Sequence, residues 1–276
     1  MKLKEKTKFI FILTSSTKVE DRFLYDAELC LRILTLKGVN LSDVIIATDA
    51  DENMVLAKCS TMQGATFINS QQLLNTINTL KCPNLIILTD CHGSIRGIDA
   101  KHPIMPYPLT EAIKMNRTLK NVIVFFGQCY AGIYNWVDIT TPHKNIVYIG
   151  ATGFDSSLSY GMDQIPWSAN ISLVALGQWL HSPVDIDGDG SLTVMDLFKY
   201  IAWFTNSVTD NIEKKQTSDL VDAKVDLKLA MKESEKSTDM KAKLEQEAIE
   251  ALGNYIVPHQ TPWILNAKCA QKIHFD

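Results

Sequence analysis

The sequence lacks a hydrophobic run long enough to span a membrane, a strong net charge and any internal repeat. Its 276 residues carry a formal net charge of −4, which gives no reason to expect nucleic acid or an anionic membrane as a partner. The six cysteines show no paired spacing, and several fall within apolar segments, where cysteine behaves as a small buried residue. We therefore expect reduced thiols in a cytosol-like compartment.

The first residues are not expected to form a signal peptide. The segment 1–8 is basic, but only five apolar residues, Phe9 to Leu13, follow it, and no small-residue cleavage site comes after them. We interpret this run as a first strand. The expected location is therefore the cytoplasm, or export without a cleaved signal, and the sequence does not indicate an oligomeric state.

Short apolar runs alternate with segments of helical periodicity through the first 150 residues. This alternation predicts an α/β fold with a mainly parallel sheet. Residues 49–70 show neither period and are expected to be irregular. The predicted strands are 9–13, 43–48, 84–88, 122–126, 145–150 and 263–265, and the predicted helices are 25–36, 71–80, 109–119, 169–181 and 196–204.

The character of the chain changes near residue 168, after which helical patterns dominate. We therefore predict an α/β domain over residues 1–168 and a helical extension over residues 169–276. Within the extension, residues 211–250 are rich in charge and are predicted to form a solvated helical region. A lid or a partner-binding arm is the alternative for that region.

Two of the predicted apolar strands are followed directly by residues of types that act in catalysis. Residues 84–88 are followed by Thr-Asp-Cys-His-Gly, and residues 122–126 are followed by Gly-Gln-Cys. If these strands are parallel neighbours, His92 and Cys129 emerge at the same sheet edge. A histidine can take the proton of a thiol and return it to a leaving amine, while the N–H groups of Gly93 and Cys129 serve as oxyanion donors. The alternative is a buried cysteine and a loop histidine that never meet.

The motifs in this part of the chain resemble those of the caspase–legumain superfamily of cysteine peptidases. The resemblance covers roughly residues 8–170 and implies a caspase-like three-layer fold, a His92–Cys129 dyad and a protein or peptide substrate. It rests on four short motifs in the family's order: the Arg-x-x-x-Asp-Ala segment 22–27, His92-Gly93, Cys129 to Gly132, and the Ser-Ser segment 151–160 with Trp167 to Asn170 beyond it.

The residue two positions before the cysteine departs from the family pattern. Caspase-type members have Gln there and legumain-type members have an acidic residue, whereas this chain has Gly127, with Gln128 directly before Cys129. The resemblance makes Arg22, Gln128, Ser156 and Ser157 the candidate substrate-binding residues. An arginine in the pocket would favour Asn or Asp before the scissile bond. The alternative for Arg22 is a surface ion pair with Asp26.

An acidic loop at residues 185–196 follows the EF-hand pattern. Asp185, Asp187 and Asp189 supply oxygens at positions one, three and five, Gly190 allows the sharp turn, and Ser191, Thr193 and Asp196 follow at positions seven, nine and twelve. We therefore predict bound Ca²⁺. A full EF-hand has Glu at position twelve, so the shorter Asp196 could weaken binding. The alternative is an acidic turn solvated between helices.

Together these patterns predict a cysteine endopeptidase with a helical extension that carries a calcium loop. A ligase or transamidase that transfers the acyl group to an amine would need the same dyad. The alternative from another class is a catalytically inactive, caspase-like interaction module that binds partners through residues 211–250. The presence of both His92 and Cys129 argues against an inactive module, whereas Gly127 weakly favours one.

Overall fold

A seven-stranded sheet forms the centre of the computed structural model. The structure describes residues 6–14, 19–154, 157, 160–162, 165–168, 170–208 and 261–275, with only the backbone described in 160–162 and 165–168. The strands of this sheet are β1 (Thr7–Ile12), β2 (Val44–Ala47), β3 (Thr66–Ile68), β4 (Asn84–Thr89), β7 (Asn121–Phe126), β8 (Asn145–Gly150) and β11 (Trp263–Leu265). Two small hairpins complete the strands: β5 (Gly93–Ser94) with β6 (Gly97–Ile98), and β9 (Tyr160–Met162) with β10 (Ile165–Ser168).

The strand order is β11-β8-β7-β4-β1-β2-β3, and all neighbouring pairs are parallel except β11 with β8. The chain builds outward from β1 in one direction through β2 and β3, and then in the other direction through β4, β7 and β8. The order therefore reverses between β1 and β4. In open α/β sheets, ligands bind outside the carboxyl ends of the strands near such a reversal.

Helices cover both faces of the sheet and divide the core into two layers. The helices described are α1 (Asp21–Leu36), α2 (Glu52–Lys58), α3 (Ser70–Thr79), α4 (Pro106–Met115), α5 (Ile171–His181), one that begins at residue 194, and a short one at Ala267–Ala270. On one face, α1 packs with α5, and Phe9, Phe11 and Phe125 of the sheet lie in the same apolar cluster. On the other face, α3 packs with α4 over Ile10, Ile87 and Val124. The central strands are thus buried on both sides, as their uninterrupted apolar runs predict.

The predicted α/β class and the mainly parallel sheet are confirmed. The strand 145–150 has the predicted bounds, and the other predicted strands of the sheet are correct to within two residues. The prediction that residues 49–70 are irregular is wrong, because they contain α2 and β3. The α2 helix buries only Val55, and β3 has three residues, none fully buried. Neither element carries enough apolar sequence to produce a readable period.

The described part of the chain after residue 168 contributes to the same core as the sheet. Trp179, Val194 and Ile273 lie in the apolar cluster that contains α1. Residues 1–205 and 260–276 form one compact unit, and residues 206–259 form a second. The charged region 211–250 lies outside the described residues, and the boundary at residue 168 stays a prediction. No helix within the described ranges is long and apolar enough to cross a membrane.

Candidate active site

The pairing of β4 with β7 brings the segments that carry His92 and Cys129 to the same carboxyl edge of the sheet. These strands are adjacent and parallel, with Thr89 opposite Phe126. His92 is three residues beyond Thr89, and Cys129 is three residues beyond Phe126. Gly127 N–H also donates to the Thr89 carbonyl (3.1 Å), so the pairing continues past the last strand residue. The predicted juxtaposition of the two strand ends is therefore present.

A carboxylate holds the His92 ring. Nε2 of His92 lies 2.6 Å from Oε1 of Glu20, and Oε2 of Glu20 lies 2.7 Å from Nε of Arg22. The hydrogen bond with His92, supported by Arg22, keeps the pKa of Glu20 below its ordinary value of 4.5 even though burial opposes the shift. An ionised carboxylate only accepts hydrogen bonds, so Nε2 carries the proton. In the neutral ring Nδ1 is then unprotonated and can act as a base.

Phe23 fixes the imidazole from a second direction. Its ring meets the His92 ring edge to face, with 5.2 Å between the centroids and planes at 90°. Glu20 and Phe23 come from the start of α1, so this helix positions the histidine of β4. Glu20 is a functional candidate that the sequence analysis missed, because one acidic residue before a helix is too common a signal to single out.

Cys129 sits on a sharp turn and is partly exposed. The next residue, Tyr130, has φ 55° and ψ 29°, the left-handed conformation, and a 3-10 helix (Ala131–Trp136) begins directly after it. Non-glycine residues rarely adopt this conformation, and it concentrates at functional sites. The Cys129 sulfur accepts a hydrogen bond from the Ser157 N–H at 3.3 Å. The described contacts thus include one donor that would stabilise a thiolate at this position.

Among the described residues, no hydrogen bond joins His92 to Cys129. The polar contact of the imidazole is with Glu20, and that of the sulfur is with Ser157. The two residues share the sheet edge, but the hydrogen bond expected of a thiol–imidazole dyad is not formed between them. Catalytic hydrogen bonds are often long in structures without substrate and shorten when it binds.

The backbone of Gly93 packs directly against the segment that carries Cys129. A Cβ at Gly93 would lie 2.4 Å from the Cys129 carbonyl oxygen, so only glycine fits there. Asp99 N–H donates to the His92 carbonyl, which makes that pair the hydrogen-bonded one of the β5–β6 hairpin. The next pair, Gly93 with Ile98, is then the non-bonded kind, and Ile98 N–H donates outward to Ile104. The Gly93 N–H therefore points away from its hairpin partner.

The predicted substrate-binding residues do not share one environment. Arg22 bonds to Glu20 and lies over the Phe23 ring at 4.6 Å, and Ser157 lies beside Cys129. Gln128 is only 1% exposed and accepts a hydrogen bond from the Thr89 hydroxyl, so a contact with substrate would require this side chain to turn outward. Ser156 lies outside the described residues.

Two carboxyl groups are buried below the site. Asp26 of α1 and Asp90, which directly follows β4, are 3% and 2% exposed, and Oδ2 of Asp90 has no hydrogen-bond partner among the described residues. Burial raises the pKa of Asp90 well above its ordinary value of 3.8, and the nearby Asp26 raises it further, which outweighs the opposite effect of Arg22. Asp90 therefore holds its proton more tightly than an ordinary aspartic acid.

Cys91, between Asp90 and His92, is a core residue. It is 3% exposed and packs in the apolar cluster beneath β4 and β7. Burial, together with the charge of Asp90, raises the pKa of its thiol well above the ordinary value of 9.0. Such a thiol is rarely ionised and is a poor nucleophile. Cys91 therefore does not compete with Cys129 for the reactive role.

The acidic loop brings part of its predicted ligand set together. One carboxylate oxygen from each of Asp185, Asp187 and Asp189 lies within 4.8 Å of the other two. Asp196 is fully buried and accepts from Ile186 N–H (2.9 Å), Thr193 N–H (2.9 Å) and the Thr193 hydroxyl (2.7 Å). Burial would raise the pKa of Asp196, but these hydrogen bonds outweigh it and lower the pKa.

Comparisons with known proteins add little to this geometry. No family model matches the chain, and no curated protein does. Among solved structures, a crystal structure of drICE, a caspase, is similar at 14% identity and a TM-score of 0.42, covering 71% of this chain and 80% of that chain. At this level of similarity we draw no conclusion about fold or activity from the match.

The buried Asp90 carboxyl makes stability depend on pH. Its folded-state pKa exceeds its unfolded value, so its favourable contribution is complete below about pH 4 and is lost as pH rises toward the folded-state pKa. Asp90→Asn removes the ionisable group but keeps a donor for Asp26. We expect the difference in melting temperature, Asp90→Asn minus wild type, to become more positive as the pH rises from 5 to 8.

Melting curves at four pH values across this range provide the measurement, with Asp99→Asn, a half-buried residue of the same loop, as the control for loss of a carboxylate. A difference between Asp90→Asn and wild type that stays constant with pH would contradict the assignment.

Proposed function

We propose that the chain is a caspase-like cysteine endopeptidase with Cys129 as nucleophile and His92 as general base. The observation that carries the proposal is that these two residues follow adjacent parallel strands at the same sheet edge, where the Gly93 backbone packs against the Cys129 carbonyl. The imidazole is held by a carboxylate, and the partly exposed sulfur accepts from a backbone N–H. The sequence resemblance to the caspase–legumain superfamily points to the same pair of residues.

Each residue has a defined part in the proposed reaction. Nδ1 of His92 takes the thiol proton while Glu20 holds Nε2–H, and the thiolate attacks the substrate carbonyl carbon. The N–H groups of Gly93 and Cys129 stabilise the negative charge on the carbonyl oxygen. The carbon–nitrogen bond then breaks as His92 returns the proton to the amine, and water hydrolyses the resulting thioester. An amine in place of water would give the ligase or transamidase reaction.

In the proposed reaction His92 and Cys129 form their hydrogen bond when substrate binds, because no hydrogen bond joins these two described residues in the structure. This missing hydrogen bond is the observation that favours the rival proposal, an inactive interaction module with the same fold. The two functions differ in whether Cys129 reacts faster than an ordinary cysteine. They also differ in whether its reactivity depends on the imidazole.

An activity-based probe separates the two functions. We expect an acyloxymethyl ketone probe to label Cys129 of the native protein selectively, and His92→Ala to abolish this labelling because the base is lost. Glu20→Gln should slow it by about ten- to a hundredfold, since the ring loses its orienting charge but not its proton acceptor. Peptide mass spectrometry after labelling provides the measurement, with Cys129→Ala as the blank and the remote, partly exposed Cys269 as an internal reference.

Uniform, slow labelling of several cysteines that does not change in His92→Ala would overturn the peptidase proposal and favour the interaction module.

The same assay addresses substrate specificity. Because Arg22 contacts Glu20, the partner of His92, we propose a preference for Asn or Asp before the scissile bond, so probes bearing these residues should react faster than one bearing Lys. Faster reaction of the Lys probe would contradict that preference.

We also propose that the loop 185–196 binds Ca²⁺. Asp185, Asp187 and Asp189 fit a hard cation, because three carboxylate oxygens converge there. The predicted ligand Asp196 is instead committed to the loop backbone, and Lys199 Nζ lies 2.7 Å from Oδ2 of Asp187. The side chain of Lys199 would therefore have to move away, and binding should be weaker than in a full EF-hand.

Calorimetric titration of the protein with Ca²⁺ tests this site directly. We expect saturable binding with one ion, its loss in Asp187→Ala, and tighter binding in Lys199→Ala, because the competing ammonium is removed. Calcium at a hundred times its dissociation constant should stabilise the fold by about 2.7 kcal/mol. The absence of binding heat in both wild type and Lys199→Ala would show that the loop is only an acidic turn.

A further inference from the structure

Asn170 connects three parts of the candidate active site. It is fully buried and lies directly before α5. Its backbone N–H donates to Oδ2 of Asp26 at 2.9 Å, which ties it to α1. Its side-chain Nδ2 donates both to the carbonyl of Gly127 and to the hydroxyl of Ser157, the latter at 3.2 Å. The amide thus links the end of the nucleophile strand to the segment beside Cys129.

The absence of a side chain at Gly127 is required by this arrangement. A Cβ at residue 127 would lie 2.6 Å from Nδ2 of Asn170 and 2.4 Å from the Thr89 carbonyl oxygen. Both distances are too short for any residue with a Cβ. The Asn170 amide therefore occupies the space that a side chain at residue 127 would need, and glycine is the residue compatible with it.

Ser157, the second partner of the Asn170 amide, also contacts the Cys129 sulfur. Ser157, whose hydroxyl accepts from Asn170, donates its own N–H to the Cys129 sulfur at 3.3 Å. A hydrogen bond from a fixed N–H favours the thiolate over the thiol. The position of this donor depends on what holds Ser157, and the Asn170 amide is a buried, rigid anchor for it.

We propose that Asn170 is a positioning residue that holds the Ser157 N–H against the Cys129 sulfur, so that the sulfur retains a donor when it ionises. The inference rests on the proposed role of Cys129 as nucleophile. A purely structural role is the alternative, because Oδ1 of Asn170 also accepts from Leu173 N–H at 3.1 Å and caps α5.

Two variants separate positioning from capping. Asn170→Ser keeps a good capping residue for α5, but its short side chain cannot reach both Gly127 and Ser157. Ser157→Ala leaves the cap and the Ser157 N–H in place and removes only the hydroxyl that Asn170 holds. If the amide acts through Ser157, either change breaks the same connection, and the double variant should be no worse than the single ones.

The readout is the rate at which iodoacetamide alkylates Cys129 in the folded protein at pH 7, followed by peptide mass spectrometry. This reagent is small and neutral, needs no substrate pocket and reacts with the thiolate. We expect Asn170→Ser and Ser157→Ala each to slow alkylation of Cys129 by about three- to tenfold, the net contribution of one ordinary hydrogen bond. The rate at Cys269 in the same molecules should not change.

Alkylation of Cys129 at the wild-type rate in either folded variant would overturn the proposal, as would effects that multiply in the double variant. A melting curve of each variant confirms that it is folded, and Ser157→Ala keeps the test valid if Asn170→Ser does not fold. Failure of the peptidase proposal gives a different pattern. In that case His92→Ala would leave the alkylation rate unchanged, whereas the dependence on Asn170 and Ser157 would persist.

Discussion

The register between β4 and β7 is the constraint on which the candidate site depends. Parallel pairing with Thr89 opposite Phe126 ends the two strands side by side, so the segments that carry His92 and Cys129 leave the sheet at the same edge. A shift of one residue would turn every side chain of one strand to the other face and exchange its two core layers. The two apolar clusters, one on each face, therefore fix the register, and the register places His92 beside the Cys129 segment.

Below that edge, polar groups replace the apolar core. Partly exposed Glu20, at the start of α1, bonds to His92 beyond β4. Buried Asn170, directly before α5, bonds to Gly127 beyond β7 and to buried Asp26 of α1. Buried polar groups are costly unless they are hydrogen-bonded, and most of these groups have partners. The layer therefore does two things at once: it joins the helices to the sheet edge, and it sets the orientation of the imidazole and of the turn that carries the cysteine.

The sequence predicts the central strands well, because runs such as Val122 to Phe126 are buried on both faces and need no periodicity to be recognised. It also identifies His92 and Cys129, since each follows such a run. It does not predict β3, whose three residues carry little apolar signal. Glu20 was missed, and Asn170 was quoted only as the end of a motif and given no role. The reason is that their partners are distant in sequence, and a single Glu or Asn before a helix is commonplace.

The central claim is that Cys129 forms a covalent acyl intermediate with the help of His92. The most direct measurement is rapid acid quenching of the protein mixed with an activated peptide ester, followed by peptide mass spectrometry. We expect the acyl mass on the peptide that contains Cys129 within the first turnover, and its absence in His92→Ala. Product formation without any acyl mass on Cys129, or with equal acylation in His92→Ala, would contradict the claim.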